Sequence, residues 1–95
     1  MRIKITRSFR DKLNDQVAYI AKDKPFAARK FKSLVLKEIK EIPNLPYKNR
    51  KSIFFDREDI RDLLVKGYLV VYKVSKKENA IEVFGFSKWE ESSYK

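Results

Sequence analysis

Arg61 and Tyr72, in the segment IRDLLVKGYLVVYKV, residues 60–74, are a pair whose types and spacing could do chemistry. Lys66-Gly67 reads as a two-residue turn between two strands. That turn sets Val65 opposite Tyr68 and Arg61 opposite Tyr72 on one sheet face. A three-residue loop with a bulge would shift this register. A guanidinium beside a tyrosine can hold a phosphate or carboxylate through two parallel hydrogen bonds while a ring stacks on a base. It can also lie across the ring and pair with a neighbouring carboxylate, which is a structural role.

Three other groups carry candidate chemistry. KNRKS supplies Lys48, Arg50, Lys51 and Ser52 just after a proline loop. These residues could grip a nucleic-acid backbone or an acidic protein, or they could be a charged edge that discourages strand-to-strand aggregation. Asp56, Glu58 and Asp59 crowd the DRED turn, but their spacing matches no calcium loop and polar turn chemistry accounts for them. In the tail FSKWEESSYK, Lys88, Trp89 and Tyr94 could anchor a partner, whereas Trp89 could instead fold back on the end of a sheet.

The rest of the composition narrows the chemistry. The 95 residues include no histidine and no cysteine, which removes catalytic triads, Cys-His dyads, imidazole proton shuttles and the common zinc sites. Gly67 and Gly85 are the only glycines, so no phosphate-cradling glycine loop exists. No cofactor, metal or small-molecule substrate is expected. Lys and Arg number 23 against 13 Asp and Glu, a net charge of +10. Such a surplus suits an anionic partner, although a lysine-rich surface also serves solubility. MRIKITRSFRDK lacks the apolar run of a secretory signal, and YLVVY is too short to span a bilayer. A soluble, cytoplasmic, single-domain protein over residues 1–95, without a membrane partner, is the expectation.

The elements that must position these groups follow from periodicity. RIKIT alternates and reads as a strand, with Ile3 and Ile5 on one face. Ser8 and Asp11 resemble a capping box ahead of Phe9, Leu13, Val17, Ile20 and Ala21 at helical spacing. Asp23 or Lys24 can cap a second helix with Pro25 in its first turn, and Ala28, Phe31, Val35, Ile39 and Ile42 recur along it. Pro43 and Pro46 end that helix. The period then changes to two, predicting strands at RKSIFF, IRDLLV, YLVVYKV and AIEVFGF. YLVVYKV is apolar on both faces and must be central. The result is an α+β domain in which an antiparallel helical hairpin packs on a mainly antiparallel sheet with a C-terminal β-meander.

This order of elements, with AARKF opening the second helix and then IRDL and GYLVVYKV, resembles the RelE/ParE superfamily of bacterial toxins over nearly the whole chain. The resemblance implies the toxin component of a type II toxin–antitoxin module, with a role in plasmid stabilisation and a cognate antitoxin that neutralises it. RelE-type members cleave mRNA on the ribosome, whereas ParE-type members poison DNA gyrase. The RelE pattern carries basic residues at two alternate positions before the GY hairpin and an arginine directly after its tyrosine. It also carries an arginine and a tyrosine in the tail. Aligned on Gly67 and Tyr68, those positions hold Ile60, Asp62, Leu69 and Trp89, and Tyr94 falls about one residue from the tail tyrosine. ParE-like members often carry an arginine where Arg61 stands. Their tails are commonly arginine-rich, whereas KWEESSYK is mixed in charge.

The resemblance is therefore closer to ParE, and it implies a gyrase inhibitor that acts by binding through Arg50, Lys51, Arg61, Lys88, Trp89 and Tyr94. One alternative is a RelE-like ribosome-dependent mRNA endonuclease with an altered basic site, formed by Arg50, Lys51, Arg61, Lys88 and Tyr94. Another is a decayed toxin that survives only as a binding module.

Overall fold

The computed structural model describes residues 1–89. In chain order the elements are β1 (Arg2–Ile5), α1 (Arg7–Ala21), α2 (Pro25–Glu41), β2 (Ile60–Val65), β3 (Tyr68–Ser75) and β4 (Ala80–Lys88). A short 3₁₀ turn, Ile42–Asn44, follows α2. The four strands form one sheet in the order β1-β4-β3-β2, parallel between β1 and β4 and antiparallel elsewhere. The α+β expectation holds in both its layers.

Thr6 caps α1, its hydroxyl accepting the Phe9 N–H at 3.1 Å. The helix therefore starts ahead of the expected Ser8 cap, because Thr6 is the last extended residue and offers its oxygen three residues before Phe9. Lys24 occupies the cap position of α2 without a side-chain bond, and Pro25 stands in the first turn as predicted. The apolar stripes of both helices meet one face of the sheet. Phe9, Leu13, Phe31, Val35 and Ile39 pack there against Leu63, Val70, Tyr72, Val74, Ile81 and Val83. Gln16 Nε2 also donates to the Tyr68 hydroxyl at 2.6 Å, joining α1 to β3 by a polar bond.

The β2–β3 hairpin turns on two residues of positive φ, Lys66 at 49° and Gly67 at 83°. This turn matches the right-handed twist of the flanking strands. The predicted register follows, with Val65 opposite Tyr68 and Arg61 opposite Tyr72. One irregularity lies in β4. Val71 pairs with Gly85 but Tyr72 pairs with Val83, so Phe84 is an extra residue. A Cβ at Gly85 would come within 3.0 Å of the Val71 side chain, which explains glycine at that position.

The expected strand at RKSIFF does not form. Only one isolated bridge, Lys51 with Arg61, joins this stretch to β2. Side chains take the backbone groups a strand would need. Ile53 N–H donates to Asp62 Oδ2 at 2.9 Å, and Phe54 N–H donates to Ser52 Oγ at 3.2 Å. Residues 50–59 form a loop over the sheet face opposite the helices, where Phe55 meets Phe84 edge-on with centroids 5.8 Å apart.

Candidate functional site

Arg61 is held from several sides. Its Nε donates to the Glu58 carbonyl at 2.9 Å, Nη1 to the Asn49 carbonyl at 3.1 Å, and Nη2 to the Glu58 carboxylate at 3.0 Å. Its guanidinium lies over the Tyr47 ring, 5.1 Å from the centroid. The side chain is 14% exposed. The ring it covers is thus Tyr47 and not Tyr72, and its donors tie two loops to β2.

Tyr72 completes the anchoring. Its hydroxyl donates to the Pro46 carbonyl at 2.6 Å and accepts from Asn49 Nδ2 at 3.1 Å. Burial raises its pKa above the ordinary tyrosine value, with the Asn49 hydrogen bond and the Arg61 charge opposing that rise. The phenol is consequently a neutral donor over the physiological range. The turn from Pro46 to Asn49 is fixed by this pair of side chains.

That turn delivers Lys48 and Arg50 to the open side of the sheet. With Asn49, Asp62, Leu64 and Trp89 they line a cavity of about 500 Å³. Arg50 enters the sheet edge by backbone, its carbonyl accepting the Asp62 N–H at 3.0 Å. Trp89 follows β4, its N–H donating to the Gly67 carbonyl at 2.8 Å. The indole is half-buried against the cavity, at the end of the sheet.

Of the residues singled out from sequence, Lys48, Arg50 and Trp89 come together. Lys51 instead extends outward and pairs with Asp56 at 3.1 Å. Lys88 is exposed, opposite Tyr68, and so about 13 Å along β3 from Tyr72, the register partner of Arg61. Tyr94 lies outside the described residues. Each carboxylate of the DRED turn has its own cation: Asp56 with Lys51, Glu58 with Arg61, and Asp59 with Arg57 at 2.7 Å.

Sequence reading missed Tyr47, Asn49 and Leu64. Tyr47 and Asn49 act through irregular backbone, which carries no period. Leu64 belongs to a strand read correctly, but its alternation does not foretell its 50% exposure.

The family model for the ParE toxin of the type II toxin–antitoxin system parDE matches residues 3–91. Among curated proteins, none matches by sequence. Several solved structures share the fold. A chain of the chromosomal ParDE toxin–antitoxin system from P. aeruginosa superposes with a TM-score of 0.77 at 15% identity, covering 95% of this chain and 97% of its own. A mutant E. coli toxin RelE, in complex with a peptide of antitoxin RelBc, gives 0.59 at 17% identity, with 96% and 85% covered.

Proposed function

This chain belongs to the ParE toxin family of type II toxin–antitoxin systems, and from that premise we propose that it arrests growth by binding DNA gyrase. It makes and breaks no covalent bond in this reading. A cognate antitoxin neutralises it in the cytoplasm, and the pair stabilises the plasmid or chromosome segment that encodes it. The observation that carries the proposal is the family match over residues 3–91.

The site geometry supports a binding role. Three positions that carry cations in the RelE pattern hold Ile60, Asp62 and Leu69, exposed only 4%, 3% and 1%. Asp62 Oδ2 is occupied by the Ile53 N–H. Stabilising the pentavalent phosphate of RNA cleavage requires cations aimed at it, and these three side chains have none to offer. Arg50, Lys51, Lys88, Trp89 and Tyr94 are the contacts we assign to the target, with Arg61 securing the loop that carries the first two.

A second reading, RelE-like cleavage of mRNA, draws on one observation: Lys48 and Arg50 line the cavity beside Trp89. The two readings separate in one experiment. The protein is induced alone while thymidine and methionine incorporation are followed through the first minutes of arrest. The gyrase reading expects thymidine incorporation to fall first, and purified protein to inhibit supercoiling by purified gyrase. Methionine falling first would replace it with the ribosomal reading.

A further inference from the structure

Tyr19, near the end of α1, and Phe26, in the first turn of α2, are 67% and 74% exposed, the two most exposed large apolar side chains among the described residues. Neither belongs to the core cluster that joins the helices to the sheet. A single exposed ring needs no explanation, but these two flank a concentration of positive charge. Residues 22–30 hold four cations, Lys22, Lys24, Arg29 and Lys30, against one carboxylate, Asp23. The rest of the span 7–41 holds six against four. All four cations are exposed, and the ion pairs among the described residues lie elsewhere.

Helix geometry groups these side chains. Phe26, Arg29 and Lys30 stand at i, i+3 and i+4 on one face of α2, turned away from the buried stripe of Ala28, Phe31, Val35 and Ile39. The Arg29 guanidinium lies over the Phe26 ring, 4.8 Å from its centroid. With so much of Phe26 exposed, the opposite face of the ring stays open. Across the turn, Tyr19, Ile20, Lys22, Asp23 and Lys24 line a hollow of about 380 Å³.

Two kinds of partner combine negative charge with something a ring can use: an anionic membrane and a nucleic-acid strand with unstacked bases. A membrane surface rewards a continuous apolar face, whereas residues 21–25, between the two rings, are alanine, three charged residues and proline. Rings set apart with cations between them match a strand, whose base faces and phosphates alternate along its length. A duplex hides its base faces in its own stack. We propose that the turn joining α1 to α2 docks single-stranded nucleic acid, with bases stacked on Phe26 and Tyr19 and phosphates held by Lys22, Lys24, Arg29 and Lys30. Arg29 serves both parts, since its guanidinium backs the Phe26 ring and keeps N–H donors at its rim. This surface is separate from the cavity of Lys48, Arg50 and Trp89, and the inference does not depend on which target that cavity meets.

Fluorescence anisotropy of a labelled oligothymidylate of about twelve nucleotides reads the binding directly. The purified protein should bind it saturably, with an affinity that falls as salt rises. A duplex of equal length should bind more weakly, because its bases are not free to stack. Phe26→Ala and Phe26→Leu should each weaken the strand roughly tenfold, since neither side chain offers a ring face. Both should keep the wild-type thermal melt, because Phe26 lies outside the core. Lys22→Glu with Lys24→Glu should weaken it further and lower the salt slope by about 1.4, the loss of two phosphate contacts. The same charge change at Lys37→Glu with Lys40→Glu should have little effect. Those lysines begin about 20 Å along α2 from Lys24, beyond the Debye length at about 0.1 M salt.

Equal weakening by the two double variants would reduce the binding to net charge and overturn the proposal. So would no saturable binding, a preference for the duplex, or full affinity in Phe26→Ala. Vesicles of phosphatidylserine and phosphatidylcholine supply the competing partner. Sedimentation with them that Phe26→Leu retains, in the absence of strand binding, would assign the turn to a membrane surface and overturn nucleic acid as its occupant.

Discussion

The two faces of this sheet are held by different physics. Against the helices, Phe9, Val35, Val70, Tyr72, Ile81 and Val83 are fully buried, and rings pack in series, with Tyr68 stacked on Phe86 at 5.2 Å and Phe9 edge-on to Phe86 at 5.8 Å. Against the 50–59 loop, the buried side chains include Asp62 and Ser52, and directional bonds do the anchoring. Apolar contact is non-directional and roughly proportional to area, so the helical face tolerates small shifts without losing the fold. A hydrogen-bonded loop has few acceptable geometries. The comparison teaches that two kinds of anchoring are separable: apolar burial sets stability, and directional bonds, those of Arg61 and Tyr72 included, set where Lys48 and Arg50 stand.

The strongest way to break this division is to strike the helical face. Phe9→Ala removes a ring with no exposure and leaves a cavity against Phe86, a loss of about 3–5 kcal/mol. Small domains have only about 5–15 kcal/mol in all, so chemical denaturation should show a large fall in the unfolding midpoint. A loss under about 1 kcal/mol would mean that the helical layer is not the main source of stability.

Arg61→Met is the matching blow to the directional bonds, with a smaller cost. It keeps the aliphatic stem but removes the donors to Glu58 and Asn49, for an expected loss of about 2 kcal/mol. The diagnostic readout is hydrogen exchange. Amides from residues 47 to 53 should lose protection while those of β3 and the helices keep theirs. Arg61→Lys should not restore the loop, because an ammonium cannot reproduce a planar fork that spans two carbonyls and a carboxylate. Equal loss of protection throughout the chain would merge the two regions into one cooperative unit.

The same contrast governs what could be read from the residues. The helical stripes, the Lys66-Gly67 turn and the Arg61–Tyr72 register were legible because burial and turn chemistry impose a period and a fixed loop length. RKSIFF alternates like a strand, yet it forms a loop. Its backbone partners, Asp62 and Ser52, are side chains whose choice of acceptor role depends on the tertiary fold. Arg61 was recognisable as a residue of interest, but its ring partner was not, since Tyr47 sits in a turn without periodicity. The cavity beside Trp89 is likewise a product of where that turn is pinned.

Tyr72 joins both kinds of anchoring, its ring in the core and its hydroxyl on the Pro46–Asn49 turn, and it sharpens the comparison through pH. Tyr72→Phe keeps the buried ring and loses the bond to the Pro46 carbonyl, for about 1 kcal/mol. The folded pKa is raised, so the neutral phenol is the form the fold prefers. The unfolded chain then releases that proton at lower pH than the native one. The contribution of Tyr72 is complete below the unfolded pKa, near 10, and is lost as pH rises through the higher folded value. Stability measured from pH 8 to 11 should fall less steeply above about pH 10 in Tyr72→Phe than in the wild type. Parallel curves would show that the hydroxyl titrates as freely as in the unfolded chain.

The smallest expected effect tests whether the loop face is a surface for others. Lys51 and Asp56 form an ion pair at 3.1 Å with side chains 42% and 100% exposed. Exposed pairs of this kind add little stability once side-chain entropy and salt screening are counted. Lys51→Ala should therefore leave the thermal melt and the exchange pattern of the loop unchanged. Under the proposed function it should still weaken inhibition of gyrase supercoiling, by roughly the fivefold that about 1 kcal/mol of lost contact represents. Asp56→Ala should spare the melt too, but it releases Lys51 to the target and should leave inhibition equal or stronger. A matched fall in both variants would place the pair in the architecture of the loop, and an unchanged Lys51→Ala would remove that residue from the contact set. Opposite signs at two partners of one weak ion pair are a result that loop stability alone cannot produce.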